Sequence, residues 1–417
     1  MKTEFRRPEI LSPAGSREKL EAALRFGADA VYLAGERFGM RQAAENFTVD
    51  GLREAAELTH SAGARLYLTL NTLPHTRDYP ELRRFIEEIR GVRIDGFIVA
   101  DLGVFSLLKE SVPGAKIHVS TQASVCSVES ALAWARLGAS RLVLARELTL
   151  SEIKEIRAAL PDGVELEAFV HGSMCVSYSG RCLLSNMLNR RDANSGQCSQ
   201  PCRWNYTLIE EKRPDGRIPI EETPLGTFIM SSKDLCLIDS VGKLAEAGVD
   251  SFKIEGRVKS AYYAAVVTNA YKMAVTELET FVLKGGFPSN FKPDPALMRE
   301  LESVSHREYS TGFAFDDPAI NAQTVSAPGY VRDKAYLAVA LTSADAGSPA
   351  LFLQKNKLTP GDRAELLTPG KTSVPFTVPA ITSEEGEPLE SAPHPRMRFF
   401  AALPFPVRAG DIIREAD

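Results

Sequence analysis

Five of the chain's six cysteines crowd into one stretch: Cys175, Cys182, Cys198, Cys202 and Cys236. The first four lie in HGSMCVSYSGRCLLSNMLNRRDANSGQCSQPCRW (171–204), spaced C-x6-C-x15-C-x3-C, and the fifth follows in MSSKDLC. Thiolates are soft ligands, and four of them from one folded loop can close around zinc or an iron–sulfur cluster. The spacing matches neither the paired C-x2-C of a zinc ribbon, nor a C-x-x-C redox motif, nor a ferredoxin run, so it does not separate the two metals. The competing reading is a set of reduced, inert, buried thiols, since free cysteine is among the most buried residue types. Cys126, alone in QASVCSVES, reads as a packed helix residue. The stretch also carries Arg181, Arg190, Arg191 and Arg203 against a single acid, Asp192. That is a local basic patch of the kind that meets phosphates, or a solvated basic loop.

Proteolysis would need an activated nucleophile with a base, or a metal-bound water. Ser173, Ser177 and Ser185 lie near His171, and His171 beside a cysteine is a conceivable dyad, but neither HExxH nor GxSxG occurs. Thiolates committed to a cluster make poor nucleophiles.

The chain has 417 residues, 44% hydrophobic and 25% charged. This is ordinary globular composition, and the length suggests two domains. The opening MKTEFRRPEILSPAG holds no apolar run of signal-peptide length, and no stretch approaches the ~20 apolar residues of a membrane-spanning helix. A cytoplasmic location is therefore expected, where disulfides are rare and clustered cysteines point to metal or catalysis. A net charge of −5 argues against non-specific coating of nucleic acid but allows a local basic site.

A phrase recurs in the first two thirds: AALRFGADAVYLAG, ELTHSAGARLYLTL, AWARLGASRLVLAR and KLAEAGVDSFKIEG. Each is a helix end, a glycine suited to a left-handed C-cap, and a short β-rich run. Helix handing over to buried strand is the pattern of a parallel sheet. Eight strands are predicted: EILSP (9–13), AVYLAG (30–35), RLYLTLN (65–71), GFIVAD (96–101), KIHVSTQ (116–122), RLVLARE (141–147), ELEAFVHG (165–172) and SFKIEG (251–256). The reading is an α/β fold, a (β/α)8 TIM-like barrel over 1–265 with a long insertion, 173–230, after strand seven. An open doubly wound sheet is the runner-up, disfavoured because SPAGS is not the dinucleotide fingerprint. In a barrel the chemistry belongs at the C-terminal strand ends. Several strands end there in polar residues: Asn71, Asp101, Gln122, Arg146 with Glu147, His171, and Glu255 with Arg257. Residues 266–329 read as a helical and irregular connector containing SHREYSTGF. From 330 to 417, short strands punctuated by Gly, Pro and Asp predict a small all-β, barrel-like domain.

HGSMCVSYSGRCLLSN closely resembles the signature of the collagenase-like peptidases, peptidase family U32. EILSPAGSREKLEAALRFGADAVYLAG and SSKDLCLIDSVGKLAEAGVDSFKIEGRVKSAYYAA match the same family. The resemblance spans about residues 8–315, and the small β domain matches the family's usual C-terminal extension. HGSMC…YSGRCLLSN…QCSQPCRW is most similar to the branch that hydroxylates uridine at the wobble position of tRNA. The resemblance implies a [4Fe-4S] cluster, with zinc as the alternative metal. By motif its ligands would be Cys175 of HG-x-x-C, Cys182 of GRC, Cys198 after the variable loop and Cys236 of DLC; Cys202 corresponds to a ligand in some branches only. It further implies tRNA as partner, prephenate as a required co-substrate, 5-hydroxyuridine as product, and no need for molecular oxygen. A collagenase-like peptidase and a non-catalytic RNA-binding protein with a structural metal remain the alternatives.

On that reading His171 and Glu255 are the catalytic candidates. A dicarboxylate needs cationic anchors, and Arg41, Lys253 and Arg257 are placed for that task, for which bidentate arginine pairing is well suited. Lys253 and Glu255 pairing within strand eight is the plainer alternative. Gln122 and Tyr178 complete the substrate-binding candidates. A base must be unstacked to reach a buried site, and Tyr178, Trp204 or Tyr206 could stack it or simply pack on the barrel rim.

Overall fold

The computed structural model describes residues 5–40, 45–175, 182, 184–191, 193, 196–203, 222–223, 226–227, 231–315, 323–324, 331 and 334–416. Eight parallel strands form its first body: β1 (Glu9–Pro13), β2 (Ala30–Leu33), β3 (Arg65–Leu70), β4 (Gly96–Val99), β5 (Ile117–Val119), β6 (Arg141–Val143), β7 (Glu165–Ser173) and β8 (Ser251–Ile254). Each pairs with the next, and β8 pairs with both β7 and β1, so the ring closes without an edge. Eight helices surround it: α1 (Arg17–Arg25), α2 (Val49–Ser61), α3 (Tyr79–Glu88), α4 (Leu102–Ser111), α5 (Val128–Leu137), α6 (Leu150–Ala159), α7 (Val241–Glu246) and α8 (Ala261–Leu283). The fold is the (β/α)8 barrel, not the open sheet.

Local signals explain the alternation. Ser16, Thr48, Asp101, Ser127, Thr149 and Ser260 are helix N-caps whose side-chain oxygens accept backbone N–H groups. Gly27, Gly63, Gly138 and Gly248, the glycines of the recurring phrase, all have positive φ. They end each helix in the left-handed region and turn the chain into the next strand. The expected end of the barrel at 265 moves outward. The helix at 261–283 buries Val266, Ala270, Tyr271, Ala274 and Leu278 and packs against α1 and β1, so it is the eighth barrel helix and not part of a connector.

The lower barrel interior is ionic. Arg141 pairs with Glu9 at 2.7 Å, Glu167 at 2.9 Å and Glu165 at 2.5 Å, and Tyr67 donates to Glu9 at 2.9 Å. Burial alone would raise the Glu167 pKa, but Lys253 and Arg141 hold it below the usual carboxylate range. These charges are mutually compensated, which is the condition for burying them at all.

The second body is an antiparallel sheet, a half-barrel. Its strands are β9 (Tyr336–Ala340), β10 (Pro349–Gln354), β11 (Arg363–Leu367), β12 (Val374–Thr377), β13 (Ile381–Thr382), β14 (Pro388–Leu389), β15 (Arg398–Ala402) and β16 (Ile412–Glu415), ordered β12-β11-β16-β9-β10-β15-β13-β14. It has its own core around Phe352 and Phe399. It docks on the barrel through Arg25–Asp411, through Tyr262 stacked on Tyr336, and through buried Arg414, which pairs with Glu300 of α9 (Ala296–Glu302) at 2.9 Å and Glu365 at 2.7 Å. No described helix is long and apolar enough to cross a membrane.

Candidate active site

The insertion is built out of β7. That strand is nine residues long and overshoots the barrel rim. Its last residues pair antiparallel with a return strand, Asp234–Cys236, which in turn pairs with Tyr309–Ser310. The two ends of the insertion are thereby clamped together. Ser232 Oγ donates to the Met174 carbonyl at 2.7 Å, and Arg307 donates to Asp234 at 2.7 and 2.9 Å and to Ser232 Oγ at 3.3 Å. Burial opposes ionisation of Asp234, but the Arg307 guanidinium keeps its pKa low. Arg307 and Tyr309 belong to SHREYSTGF, whose part in the site was not legible from its neighbours in sequence.

The cysteines divide into two groups. Cys175 is exposed, two residues beyond β7, and Cys182, Cys198 and Cys202 are partly buried. The short helix Leu184–Asn189 is tied to the Cys198–Cys202 segment by Ser185 Oγ, which accepts from Ser199 N and meets Ser199 Oγ, both at 3.1 Å. Three cysteines thus sit on one locally folded unit, and Ser185, one of the three serines near His171 in the sequence, is committed to Ser199, while Ser177 lies outside the described residues. Cys236 stands apart. It lies opposite His171 in the register, four residues from Cys175, which is about 13 Å along a strand. Its thiol is buried 4.0 Å from Tyr271 Oη of α8, and burial pushes its pKa up to about 12. A metal deprotonates the thiol it binds, so a buried, protonated Cys236 is compatible with ligation. Cys175, Cys182 and Cys198 are common to both candidate donor sets, which differ in whether the buried Cys236 or the half-buried Cys202 supplies the fourth thiol. Among the described residues no three His, Cys, Asp or Glu side chains are already gathered in metal-binding geometry.

His171 is also re-aimed. The register between β7 and β8 shifts by one residue between Lys253 and Ile254, a bulge that changes the face a side chain takes. The imidazole lies 3.5 Å from Tyr271 Oη and 3.4 Å from Tyr309 Oη, beside Tyr263. Burial drives its pKa down to about 3, so it is neutral. It has tyrosines for partners, neither a serine nor a cysteine, and the expected catalytic base is instead a buried residue holding α8 and Tyr309 against β7. Lys253 is likewise corrected. Its ammonium is buried, 2.6 Å from Glu167 and between the rings of Tyr32 and Phe169, so it belongs to the barrel core and is not placed as an anion anchor.

Glu255 and Arg257 do reach the mouth. Glu255 carries its carboxylate to Arg146, 3.1 Å away at the end of β6. Arg257 is buried and donates across the barrel top to Thr69 Oγ1 of β3 at 3.0 Å, while its carbonyl accepts from Lys19. Gly15 is packed so tightly on that carbonyl that a Cβ would come within 2.1 Å. Asn71 accepts from Met40 N and faces Ser120, and the partly exposed Gln122 follows β5 with its backbone N–H on Ser120 Oγ. Arg190 and Arg191 are exposed. Arg41, Tyr178, Arg181, Trp204 and Tyr206, with the side chain of Arg203, lie outside the described residues.

Fold and site together define a (β/α)8 barrel whose catalytic mouth is capped by a cysteine-bearing insertion and braced by a C-terminal half-barrel. Residues 15–324 match peptidase family U32 and residues 332–414 match the peptidase family U32 C-terminal domain, and the chain belongs to this family. It is 34% identical over 395 residues to a tRNA hydroxylation protein of Bacillus subtilis, covering 94% of this chain and 90% of that one. It is 38% identical over 272 residues to a 23S rRNA 5-hydroxycytidine synthase of Escherichia coli, covering 65% of this chain and 40% of that one. It is also 36% identical over 277 residues to a collagenase of Porphyromonas gingivalis, covering 64% and 65%.

Proposed function

We propose that the protein is an RNA hydroxylase that forms 5-hydroxyuridine at the wobble position of tRNA with a [4Fe-4S] cluster and prephenate, without molecular oxygen. The observation that carries this reading is the group of thiols on the β7 insertion and its return strand, in a chain similar over nearly its whole length to a tRNA hydroxylation protein. Cys175, Cys182, Cys198 and Cys236 would hold the cluster, with Cys202 the alternative fourth ligand, and the bound cluster would supply electron-transfer or Lewis-acid chemistry at the mouth. Arg257 is the cation best placed to anchor a carboxylate there, and Arg190 and Arg191 are free to face RNA phosphates at the surface. A target base would have to leave its stack to reach this depth.

Deleting the gene and comparing tRNA nucleosides by mass spectrometry tests the substrate. 5-Hydroxyuridine and its derivatives should disappear and return with the intact gene; unchanged nucleosides would reject the reading. One zinc per chain after anaerobic purification, and no iron, would reject the cluster.

Similarity to a collagenase keeps a second reading in view. Among the described residues the nucleophile–base geometry it needs is missing, since His171 is enclosed by tyrosines and Ser185 is bound to Ser199. Gelatin cleavage by pure protein that survives removal of iron would favour it.

A further inference from the structure

Arg146 ties together three neighbouring strand ends at the mouth. It ends the β6 run RLVLAR, where sequence marks it only as a polar residue. Its Nη1 donates to the Ser173 carbonyl of β7 at 2.8 Å, and its Nη2 donates to Glu255 Oε2 beyond β8 at 3.1 Å. The guanidinium lies 3.9 Å from the centroid of the Phe169 ring. The planar fork suits such a double task, which an ammonium cannot perform at once.

Both partners matter to the site. Ser173 is two residues before Cys175, so its carbonyl fixes the backbone from which the first insertion thiol projects. Glu255 is fixed from the other side: its N–H donates to the His171 carbonyl at 2.9 Å, and its own carbonyl accepts from Tyr263 Oη at 2.9 Å. Gly172 allows this approach, because a Cβ there would stand 2.5 Å from the Glu255 carbonyl oxygen. The Arg146–Glu255 pair is largely enclosed, with side-chain exposures of 8% and 14%.

We propose that Arg146 is a positioning residue of the mouth, holding the Glu255 carboxylate and the Cys175-bearing end of β7 in one fixed arrangement. The proposal rests on the hydroxylase reading for its catalytic consequence and on the contacts alone for its mechanical one. Residues that orient others in this way cost about tenfold to a hundredfold in rate when removed.

The test uses the full-length protein with Arg146→Met, which keeps the packing on Phe169, and Arg146→Lys, which keeps a charge toward Glu255 but loses the fork. Arg146→Met should stay folded but melt below the wild type because the enclosed Glu255 loses its cation, lower kcat on tRNA at least about tenfold with KM unchanged, and speed amide exchange at 172–175 and 254–256 but not elsewhere. Arg146→Lys should recover part of kcat. Unchanged kcat, or a raised KM with kcat intact, would overturn the proposal, as would exchange that is unaltered or quickened throughout the barrel. If the wild type leaves RNA unmodified, the hydroxylase reading fails by itself, and the exchange pattern still decides whether Arg146 holds the two strand ends.

Discussion

His171 shows how far a residue's chemistry is set by what surrounds it. Beside Cys175 in the sequence it looks like half of a dyad; in the fold it is a neutral imidazole walled in by Tyr263, Tyr271 and Tyr309. Its pKa is about 3 in the native state against an ordinary value near 6.5. The unfolded chain therefore binds a proton on His171 over a range where the native protein does not, so stability is lost as pH falls from about 6.5 toward 3. Compared with His171→Phe in urea unfolding, the wild type should lose on the order of 2 kcal/mol more between pH 7 and pH 5. A pH-independent difference between the two would show that His171 binds its proton equally well in the folded and unfolded chain. Cys236 follows the same logic, since burial keeps its thiol protonated.

The elements of the barrel were largely legible. All eight predicted strands form as short buried runs, and Gly27, Gly63, Gly138 and Gly248 end the helices before β2, β3, β6 and β8. The details of β7 were not. Its bulge is a property of the register with β8, and the fate of Cys236 depends on an antiparallel partner more than sixty residues away in sequence. Periodicity reports which way a residue faces only while the register is regular. Motif matching selected Cys236 and left Cys202 in doubt, and the two differ in burial, Cys236 being buried and Cys202 half-buried. Arg146, Asp234 and Arg307 were missed as members of the site for a related reason: their partners come from distant strands. The return strand supplies a prediction. Arg307→Ala leaves the buried Asp234 carboxylate without its cation and should destabilise the protein by about 3–5 kcal/mol in chemical denaturation. A change under about 1 kcal/mol would mean that the pair is solvated and does not clamp the insertion.

At the level of the whole molecule, the half-barrel is a brace for the catalytic barrel. Leu367 and Ile412 belong to the main hydrophobic core and not to the smaller one of their own sheet. Arg414 is buried across the junction, and Asn269 of α8 holds the Gly370 N–H and the Lys371 carbonyl. Ending the chain at residue 331 would strip α8 and α9 of these contacts. The truncated protein should be poorly soluble or melt well below the full chain, whereas an unchanged melting temperature would make the half-barrel an independent appendage. The same dependence fixes the helix that carries Tyr263 and Tyr271, so the brace reaches the mouth through α8.

The ligand set and the reaction meet in one comparison. Cys202→Ser and Cys236→Ala are purified anaerobically, assayed for iron, and tested for restoring 5-hydroxyuridine to the tRNA of a strain lacking the gene. Cys236→Ala is predicted to lose iron and fail to restore the nucleoside, while Cys202→Ser keeps about four iron per chain and restores it. Iron and activity lost with Cys202 but kept without Cys236 would contradict that ligand set.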